Sequence, residues 1–469
     1  MSTLLIADQE LKVAVVGCGH GQLDTIYSTL EVECAAKGWA LSDLDFLIIC
    51  GDFQAIRNNL DLNCMSVPRR YLKLGDFHKY YSRASLAPVL TLVIGGNHEA
   101  SNYLFELYHG GWLAPNIYYL GAAGVVRYGP WRIAGLSGIY HAPDYLKPHD
   151  ERLPYDRGDI RSVYHVREYD VQRLLHVNSP VDIAVSHDWP AWVELFGDHG
   201  DLFSKKPHFL TSALADRLGS KPATQLLSHL RPSYWFSGHM HVRFAATVEL
   251  QADDLRVEDA ALRSEENVPE NLRPVLSRSA SSKAASKKAL RNTGTASKTE
   301  FLGLDKVGSP TFQWLDIRSL AHPRLAHVDK NLLQRGVGGN FHLCYDEEWL
   351  AITRACVPAL RVADPEALVV GTLGARNDAK MPSAASVDME MEWIKQNIVD
   401  KGLLRIPMNF VPHAPVHDPT ASYDPYLQPL EFPNQQTAEF CELLEIPNKF
   451  ALACGSKVED DGMVEFAED

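Results

Sequence analysis

Five short apolar runs punctuate the first half of the chain: Val13–Val16, Phe46–Cys50, Leu90–Ile94, Ile183–Val185 and Tyr234–Phe236. Runs of this length read as strands. Each gives way to a short polar segment. In order these are Gly17-Cys18-Gly19-His20, Gly51-Asp52, Gly96-Asn97-His98-Glu99, Ser186-His187-Asp188 and Gly238-His239-Met240-His241. Strand and helix signals alternate around them up to about residue 250, which predicts an α/β fold. In open α/β sheets ligands gather beyond the carboxyl ends of strands. The five segments therefore predict one pocket, although they span more than two hundred residues.

The pattern then breaks. Residues 251–299 begin acidic, with Asp253, Asp254, Glu258, Asp259, Glu265 and Glu266. They turn basic and rich in Ser and Ala, with Arg273, Arg278, Lys283, Lys287, Lys288, Arg291 and Lys298. Such a segment buries too little apolar surface to offset chain entropy, so a disordered insertion is expected. Its basic half reads as an RNA contact or a nuclear localisation patch, and equally well as a solvated insertion. Residues 300–445 resume strand and helix signals, and an acidic tail is expected over 446–469, frayed from Glu459 onward.

At 469 residues the chain holds two or three domains and buries a core. The net charge of −14 argues against a broad nucleic-acid-coating surface. The eight cysteines are scattered without a Cys-x-x-Cys pair, which points to a reducing compartment with Cys34, Cys50 and Cys64 as buried thiols. No apolar run is long enough to span a membrane. Met1–Leu11 contains Asp8 and Glu10 and does not read as a signal peptide.

The residues in the five segments suit a two-metal hydrolase, whose cations sit about 3.5–4 Å apart and clamp a displaced phosphoryl group. One carboxylate must bridge them. Asp52 is the candidate, because Gly51 lets the backbone come close. Asn97 offers a neutral oxygen. His20, His187, His239 and His241 offer imidazoles, which suit iron, zinc and manganese. His239 and His241 are two apart and face the same side of an extended segment. His98 follows Asn97 and need not bind metal. It can meet the phosphate and protonate the leaving oxygen, a role worth about 10²–10⁴ in rate. Asp52, Asn97 and His98 are thus the candidate catalytic residues.

This set resembles the calcineurin-like metallophosphoesterases, whose pattern is Asp-x-His, Gly-Asp, Gly-Asn-His-Asp/Glu, a His, and Gly-His-x-His. Cys18 stands where most of that superfamily has the first Asp. A thiolate favours zinc or iron over magnesium. The alternative is that Cys18 is only a small buried residue, which leaves fewer protein ligands near His20.

Longer stretches narrow the resemblance to the RNA lariat-debranching enzymes. They include Gly17-Cys18-Gly19-His20-Gly21, Ile49 to Asn58, Gly95 to Leu104, Gly110 to Gly121, Ala134 to Tyr140, Ser162 to Arg167, Ser186 to Pro190 and Tyr234 to His239. The match resumes at Phe301 to Lys306 and Leu343 to Leu350. The resemblance implies a metallophosphoesterase β-sandwich flanked by helices over residues 1–250. A smaller C-terminal domain, over 300–445, would pack on it. It implies hydrolysis of the 2′–5′ phosphodiester bond at the branch of excised intron lariat RNA, by a metal-activated water, leaving linear RNA. On matching positions it makes Cys18, His20, Asp52, Asn97, His187, His239 and His241 the site of two divalent ions, Fe2+, Zn2+ or Mn2+. His98 becomes the acid or phosphate contact. The nucleus is the expected compartment, with the cytoplasm as a second.

The family's lariat-recognition loop falls at about Tyr140–Val166. Here Tyr145, Lys147, Tyr155, Arg157, Tyr164 and His165 are the candidate RNA contacts. Cations neutralise phosphates, and aromatic rings stack on splayed bases. Asp144, Asp150, Glu151, Asp156 and Asp159 make the loop mixed, and its alternative reading is an exposed charged loop. With a net charge of −14, an RNA enzyme must confine positive potential to a cleft. Two rivals are another enzyme of the superfamily, which would lack this loop, and a non-catalytic scaffold, which would have lost ligands.

Overall fold

Two sheets meet face to face, and strand alternation explains how. The computed structural model describes residues 10–250, 270–275, 298–309, 313, 315–321, 340–362 and 380–451. Its strands are β1 (Leu11–Val16), β2 (Phe46–Ile49), β3 (Thr91–Val93), β4 (Gly111–Ala114), β5 (Ile117–Tyr119), β6 (Ala123–Tyr128) and β7 (Trp131–Leu136). Then follow β8 (Ile183–Ser186), β9 (Tyr234–Ser237), β10 (Phe244–Glu249), β11 (Lys298–Gly303), β12 (Leu315–Leu320) and β13 (Leu343–Tyr345). One sheet runs β12-β1-β2-β3-β5-β4 and the other β10-β11-β9-β8-β7-β6-β13.

Side chains alternate between the two faces of the second sheet. Ile133, Ile183, Val185, Phe236 and Leu302 join the core shared with the first sheet, among Val13, Val15, Ile48 and Leu92. Their neighbours Ala134, Ala184, Trp235 and Phe301 join the core on the outer face. There they meet the helices Glu168–Leu174 and Lys221–Leu230 through Val171, Leu174, Leu226 and Leu227. The helix Leu23–Ala36 covers the first sheet with Ile26, Leu30 and Cys34. Each fully buried aliphatic side chain contributes about 1.5–3 kcal/mol. The result is a sandwich flanked by helices, as the resemblance implied.

The parallel strands place the site. β1, β2, β3 and β5 run parallel in the first sheet, and β7, β8, β9 and β11 in the second. The carboxyl ends within each set therefore lie on one edge, and the two edges meet.

The expected boundary at residue 250 does not separate the sheets. β11 pairs parallel with β9, and β12 pairs antiparallel with β1, so both sheets need strands from beyond it. Most of the segment expected to be disordered, 251–299, lies outside the described residues. Residues 270–275 are described, and Leu272 and Val275 are buried in the outer core. Lys298 and Thr299 already belong to β11. The expected tail also starts too early. Phe450 stacks on Tyr108 at 4.5 Å between centroids, and Lys449 Nζ donates to the Val357 carbonyl at 2.8 Å. Residues 452–469 lie outside the described residues.

After β13, the helices Glu347–Cys356, Ala384–Ile394 and Gln435–Leu443 build a small core from Leu350, Ala351, Ile394, Ile398, Phe440 and Leu444. One buried carboxylate ties this unit to the sandwich. Asp346 accepts from Arg132 Nε at 2.8 Å and Nη2 at 2.7 Å, and pairs with Arg127 at 2.9 Å. It also caps its helix by accepting from the Trp349 amide at 3.0 Å. Burial pushes its carboxyl up, and the two guanidinium groups outweigh this and hold it low. Asp346→Ala leaves the buried Arg132 with Glu348 at 2.9 Å as its remaining carboxylate, so the loss should exceed about 1 kcal/mol and stay below the roughly 3–5 kcal/mol of a fully stranded buried charge. Urea unfolding should show that loss. A change under 1 kcal/mol, roughly the scale of an exposed pair, would mean the pair does not join the two units.

Candidate metal centre

The site is built where the β1/β2 pairing runs on past the strands. The His20 amide donates to the Asp52 carbonyl at 2.5 Å, between Gly19 to Gly51 and Gly21 to Phe53 at 3.2 Å each. This holds the His20 ring against the Asp52 side chain. Four of the histidine and aspartate positions bend through left-handed backbone: His20 (φ 47°), Asp52 (φ 44°), His239 (φ 61°) and His241 (φ 48°). An L-residue there costs about 1–2 kcal/mol, and such residues persist only where the surroundings over-determine them. Two glycines make room. A Cβ at Gly51 would collide with the His187 ring, and one at Gly96 with the Asp52 carboxylate.

The two oxygens of Asp52 face different groups. Oδ1 accepts from the His98 amide at 2.9 Å and lies 3.4 Å from His187 Nε2. Oδ2 lies 3.8 Å from His20 Nε2, is buried, and has no hydrogen-bond partner. Burial pushes this carboxyl up. The His187, His20 and His98 imidazoles, with the His98 amide, outweigh it and hold Asp52 well below the usual carboxylate range.

Around Oδ2, the donor atoms of Cys18, His20, Asp52 and His241 all lie within 4.8 Å of one another. His20 Nε2 and His241 Nε2 are 3.3 Å apart. Burial lowers both rings, and His20 and Lys306 help push His241 down to about 3. Both rings are thus held neutral, and with their protons on Nδ1 the two facing Nε2 lone pairs would suit a cation in the gap. Cys18 is fully buried and its Sγ accepts from the His239 amide at 3.0 Å. Burial and then the Asp52 charge push its thiol far up, so a thiolate here needs a cation beside it.

Around Oδ1 stand His187, Asn97 and His239. His187 Nδ1 donates to the Cys50 carbonyl at 2.7 Å, which leaves Nε2 with a lone pair 3.2 Å from Asn97 Oδ1. Burial pushes His187 down to about 4, against the pull of Asp52. The His187 and His239 ring centroids are 5.0 Å apart, and Trp189 Nε1 fixes the Gly238 carbonyl at 2.9 Å. An unsatisfied buried carboxylate oxygen, facing neutral imidazoles and a thiol, fits divalent metal.

His98 stands beside both groups, its ring centroid 6.1 Å from that of His20. Its Nδ1 donates to the Ser66 carbonyl at 3.2 Å, and Asn97 Nδ2 lies 3.1 Å from its Nε2. Sequence reasoning assigned no role to Ser66 or Glu99. Glu99 accepts from the Phe53, Gln54 and Gly96 amides at 2.6, 2.7 and 3.0 Å. It thereby locks the Asp52 turn to the Asn97 turn. Burial, then the Asp52 charge, pushes its carboxyl up to about 7. The signal for Glu99 was its place in the Gly-Asn-His-Glu segment. Ser66 gave none, because only the fold brings it to His98.

The loop residues divide. Tyr164 donates to Ser66 Oγ at 3.3 Å and so borders His98. His165 and His141 both place Nδ1 2.7 Å from Asp144 Oδ2, and Lys147 Nζ lies 2.7 Å from Oδ1. Burial raises the Asp144 carboxyl, and these three outweigh it and hold it low. Tyr145 is half-buried against the outer core and meets Tyr140 edge-on. Arg157 is exposed. Tyr155 corrects the expectation of an RNA contact, since its ring is buried and only its backbone is used. That backbone exchanges hydrogen bonds with Gln428 at 2.7 and 2.8 Å.

The neutral His187 ring makes the metal-free fold sensitive to acid. A free imidazole titrates near 6.5, and this one near 4. As the pH falls, the unfolded chain takes up this proton first. The contribution is therefore whole above pH 6.5 and lost as pH falls through 4, at most about 3 kcal/mol. In chelated protein, the unfolding free energy of His187→Gln should fall less steeply than the parent's between these limits, by about 1.4 kcal/mol per pH unit. Parallel slopes would show that His187 is not held neutral.

Comparison with known proteins agrees with this geometry. Residues 11–243 match the calcineurin-like phosphoesterase family, and residues 296–449 match the C-terminal domain of lariat debranching enzyme. The chain is 37% identical over 440 residues to a lariat debranching enzyme of Arabidopsis thaliana, covering 93% of this chain and 87% of that one. It is 39% identical over 436 residues to that of Homo sapiens, covering 93% and 69%. With lariat debranching enzyme A of Xenopus laevis it shares 37% over 442 residues, covering 92% and 70%. A calcineurin-like sandwich that carries this C-terminal domain, with such identity along nearly its whole length, belongs to the lariat debranching enzyme family.

Proposed function

We propose that this chain hydrolyses the 2′–5′ phosphodiester bond at the branch of excised intron lariat RNA and releases linear RNA. The observation that carries this is the Asp52 carboxylate set between two groups of donors, in a chain 37–39% identical to lariat debranching enzymes over most of its length. The donors divide around its two oxygens. Cys18, His20 and His241 would hold one ion, and Asn97, His187 and His239 the other. Ions so held, whether iron, zinc or manganese, activate water and neutralise phosphate charge.

The remaining work falls to the chain's own residues. Water oxygen forms a bond to phosphorus, the bond from phosphorus to the branch 2′-oxygen breaks, and that oxygen needs a proton. His98 delivers it from Nε2. The Ser66 carbonyl keeps Nδ1 protonated, so Nε2 is the nitrogen that exchanges a proton, and it must take one up and release the Asn97 amide nitrogen 3.1 Å away before it can donate. Asn97 orients the ring through its amide nitrogen while its oxygen faces His187. Tyr164 borders His98 through Ser66, and Tyr145, Lys147, Arg157 and His165 of the same loop would meet the RNA arms. The enzyme acts in the nucleus, where splicing releases its substrate, with the cytoplasm as a second compartment. Among the described residues no helix is long and apolar enough to cross a membrane.

The test uses the metal-loaded protein on branched RNA and on linear 3′–5′ RNA of the same sequence. Cleavage confined to the branch is expected. Equal cleavage of both would refute the assignment, as would none at full metal content. His98→Ala should keep the metal and lose about 10² or more in rate. Asp52→Ala should abolish cleavage and lower the metal content. Normal turnover in Asp52→Ala, or metal loss in His98→Ala, would reverse the assigned roles.

A further inference from the structure

A surface strip begins at the His98 partner Ser66 and runs outward. Pro68, Arg69, Arg70, Tyr71 and Lys73 are all exposed. The Arg69 guanidinium lies over the Tyr426 ring at 4.1 Å and donates to the Pro425 carbonyl at 3.0 Å. Arg70 lies over the Tyr71 ring at 4.7 Å. Yet Tyr426 is 76% exposed, Tyr71 59% and the neighbouring Leu427 57%. Each ring thus has one face against a cation and much of its area open to solvent.

We propose that this strip binds a single-stranded arm of the branched RNA as the arm leaves the metal centre. The inference rests on the branch-hydrolysing reading and extends it to a second subsite, apart from the 140–166 loop. Four observations carry it. First, the strip starts at the chemistry: Ser66 takes His98 with its carbonyl and Tyr164 with its hydroxyl. Three residues span at most about 11 Å, so Arg69 lies within an arm's first few nucleotides. Second, none of Arg69, Arg70 and Lys73 meets a carboxylate among the described residues. Their charge is free for phosphate, in a chain whose net charge is −14. Third, cations beside open aromatic rings are what sequence-tolerant single-strand binding requires. Fourth, the strap bearing Tyr426 is fixed in advance. Asn63 Nδ2 donates to the Leu427 carbonyl at 2.7 Å, and Gln428 pairs with the Tyr155 backbone. A protein partner would also use exposed apolar side chains. RNA is favoured because the cations follow within seven residues of Ser66, the partner of His98.

The test compares two branched RNAs, a minimal branch and one with arms of about ten nucleotides, within the range of a single-strand site. Arg70→Ala/Lys73→Ala removes two cations, neither with a hydrogen bond among the described residues. Tyr426→Ala removes the stacking face. For each, the preference for the long-armed substrate in kcat/KM should fall about tenfold. The change should appear in KM with kcat nearly constant, which general misfolding would not produce. Independently of cleavage, binding of a single-stranded RNA is measured against salt. The log–log slope of the double variant should be shallower by about 1.4, at 0.7 per lost phosphate contact. An unchanged slope together with an unchanged long-to-minimal ratio would overturn the proposal and leave the strip to a protein partner. A wild-type enzyme that cleaves neither substrate, with the slope shift present, would instead overturn the branch-hydrolysing reading and keep the strip as an RNA site.

Discussion

A carboxylate buried beyond the reach of water needs a donor or a cation at each oxygen, and the groups that face Asp52 are brought by both sheets. Oδ1 has the His98 amide and the His187 ring. Oδ2 has no hydrogen bond and faces His20. Removing an acceptor from water without replacement costs about 1–3 kcal/mol, and more for a charge. The left-handed turns at His20, Asp52, His239 and His241 add to the strain. The sandwich carries this load because its parallel strands end at one edge and its turns are tied to one another. Divalent ions held by the two donor groups would relieve the carboxylate, the histidine lone pairs and the buried thiol together.

Glu99 shows how the ties are made. Its two oxygens take three backbone amides from the turns that carry Asp52 and Asn97. The Asp52 carboxylate and the Asn97 amide thereby move as one body, and His98, next to Asn97, moves with them. A shift of 1 Å at reacting atoms can cost about 10² in rate, so such a clamp is worth its buried charge. His98 is steadied from the opposite side by Ser66, whose hydroxyl also takes Tyr164 of the 140–166 loop. His98 and the 140–166 loop thus share one partner residue.

Much of this was legible in the sequence, for a physical reason. The five polar segments follow strands whose direction is set by parallel pairing, so their convergence follows from topology. Gly51 and Gly96 are readable because only a missing Cβ allows the close approach they make. Three features were not legible. Ser66 reaches His98 across 32 residues, and no local pattern marks it. Tyr155 looks like a stacking ring in a polar loop, but the strap at Gln428 covers it. The boundary at residue 250 failed because a composition break marks where the chain stops being apolar, not where a sheet is complete. β11 and β12 supply strands that the first half of the chain lacks.

That completion bears on how an acidic protein handles RNA. The return of the chain through β11, β12 and β13 lays residues 408–432 against the catalytic half. Arg57 sits at the seam, fully buried, with Asp61 and Glu106 on its guanidinium, and His413 closes on Glu106 at 2.6 Å. Cations in the seam are spent on carboxylates and hold the halves together. Those on the rim of the cleft, Arg69, Arg70 and Lys73, are left open. Repulsion from the overall charge of −14 is screened beyond about 8–10 Å at ordinary salt. Within that distance, on the proposed reading, the few open cations and bound metal ions would decide where a polyanion settles. A strongly acidic surface therefore does not oppose RNA cleavage. On the proposed reading it would discourage binding elsewhere and leave the metal centre with its neighbouring cations as the favourable place for the branch.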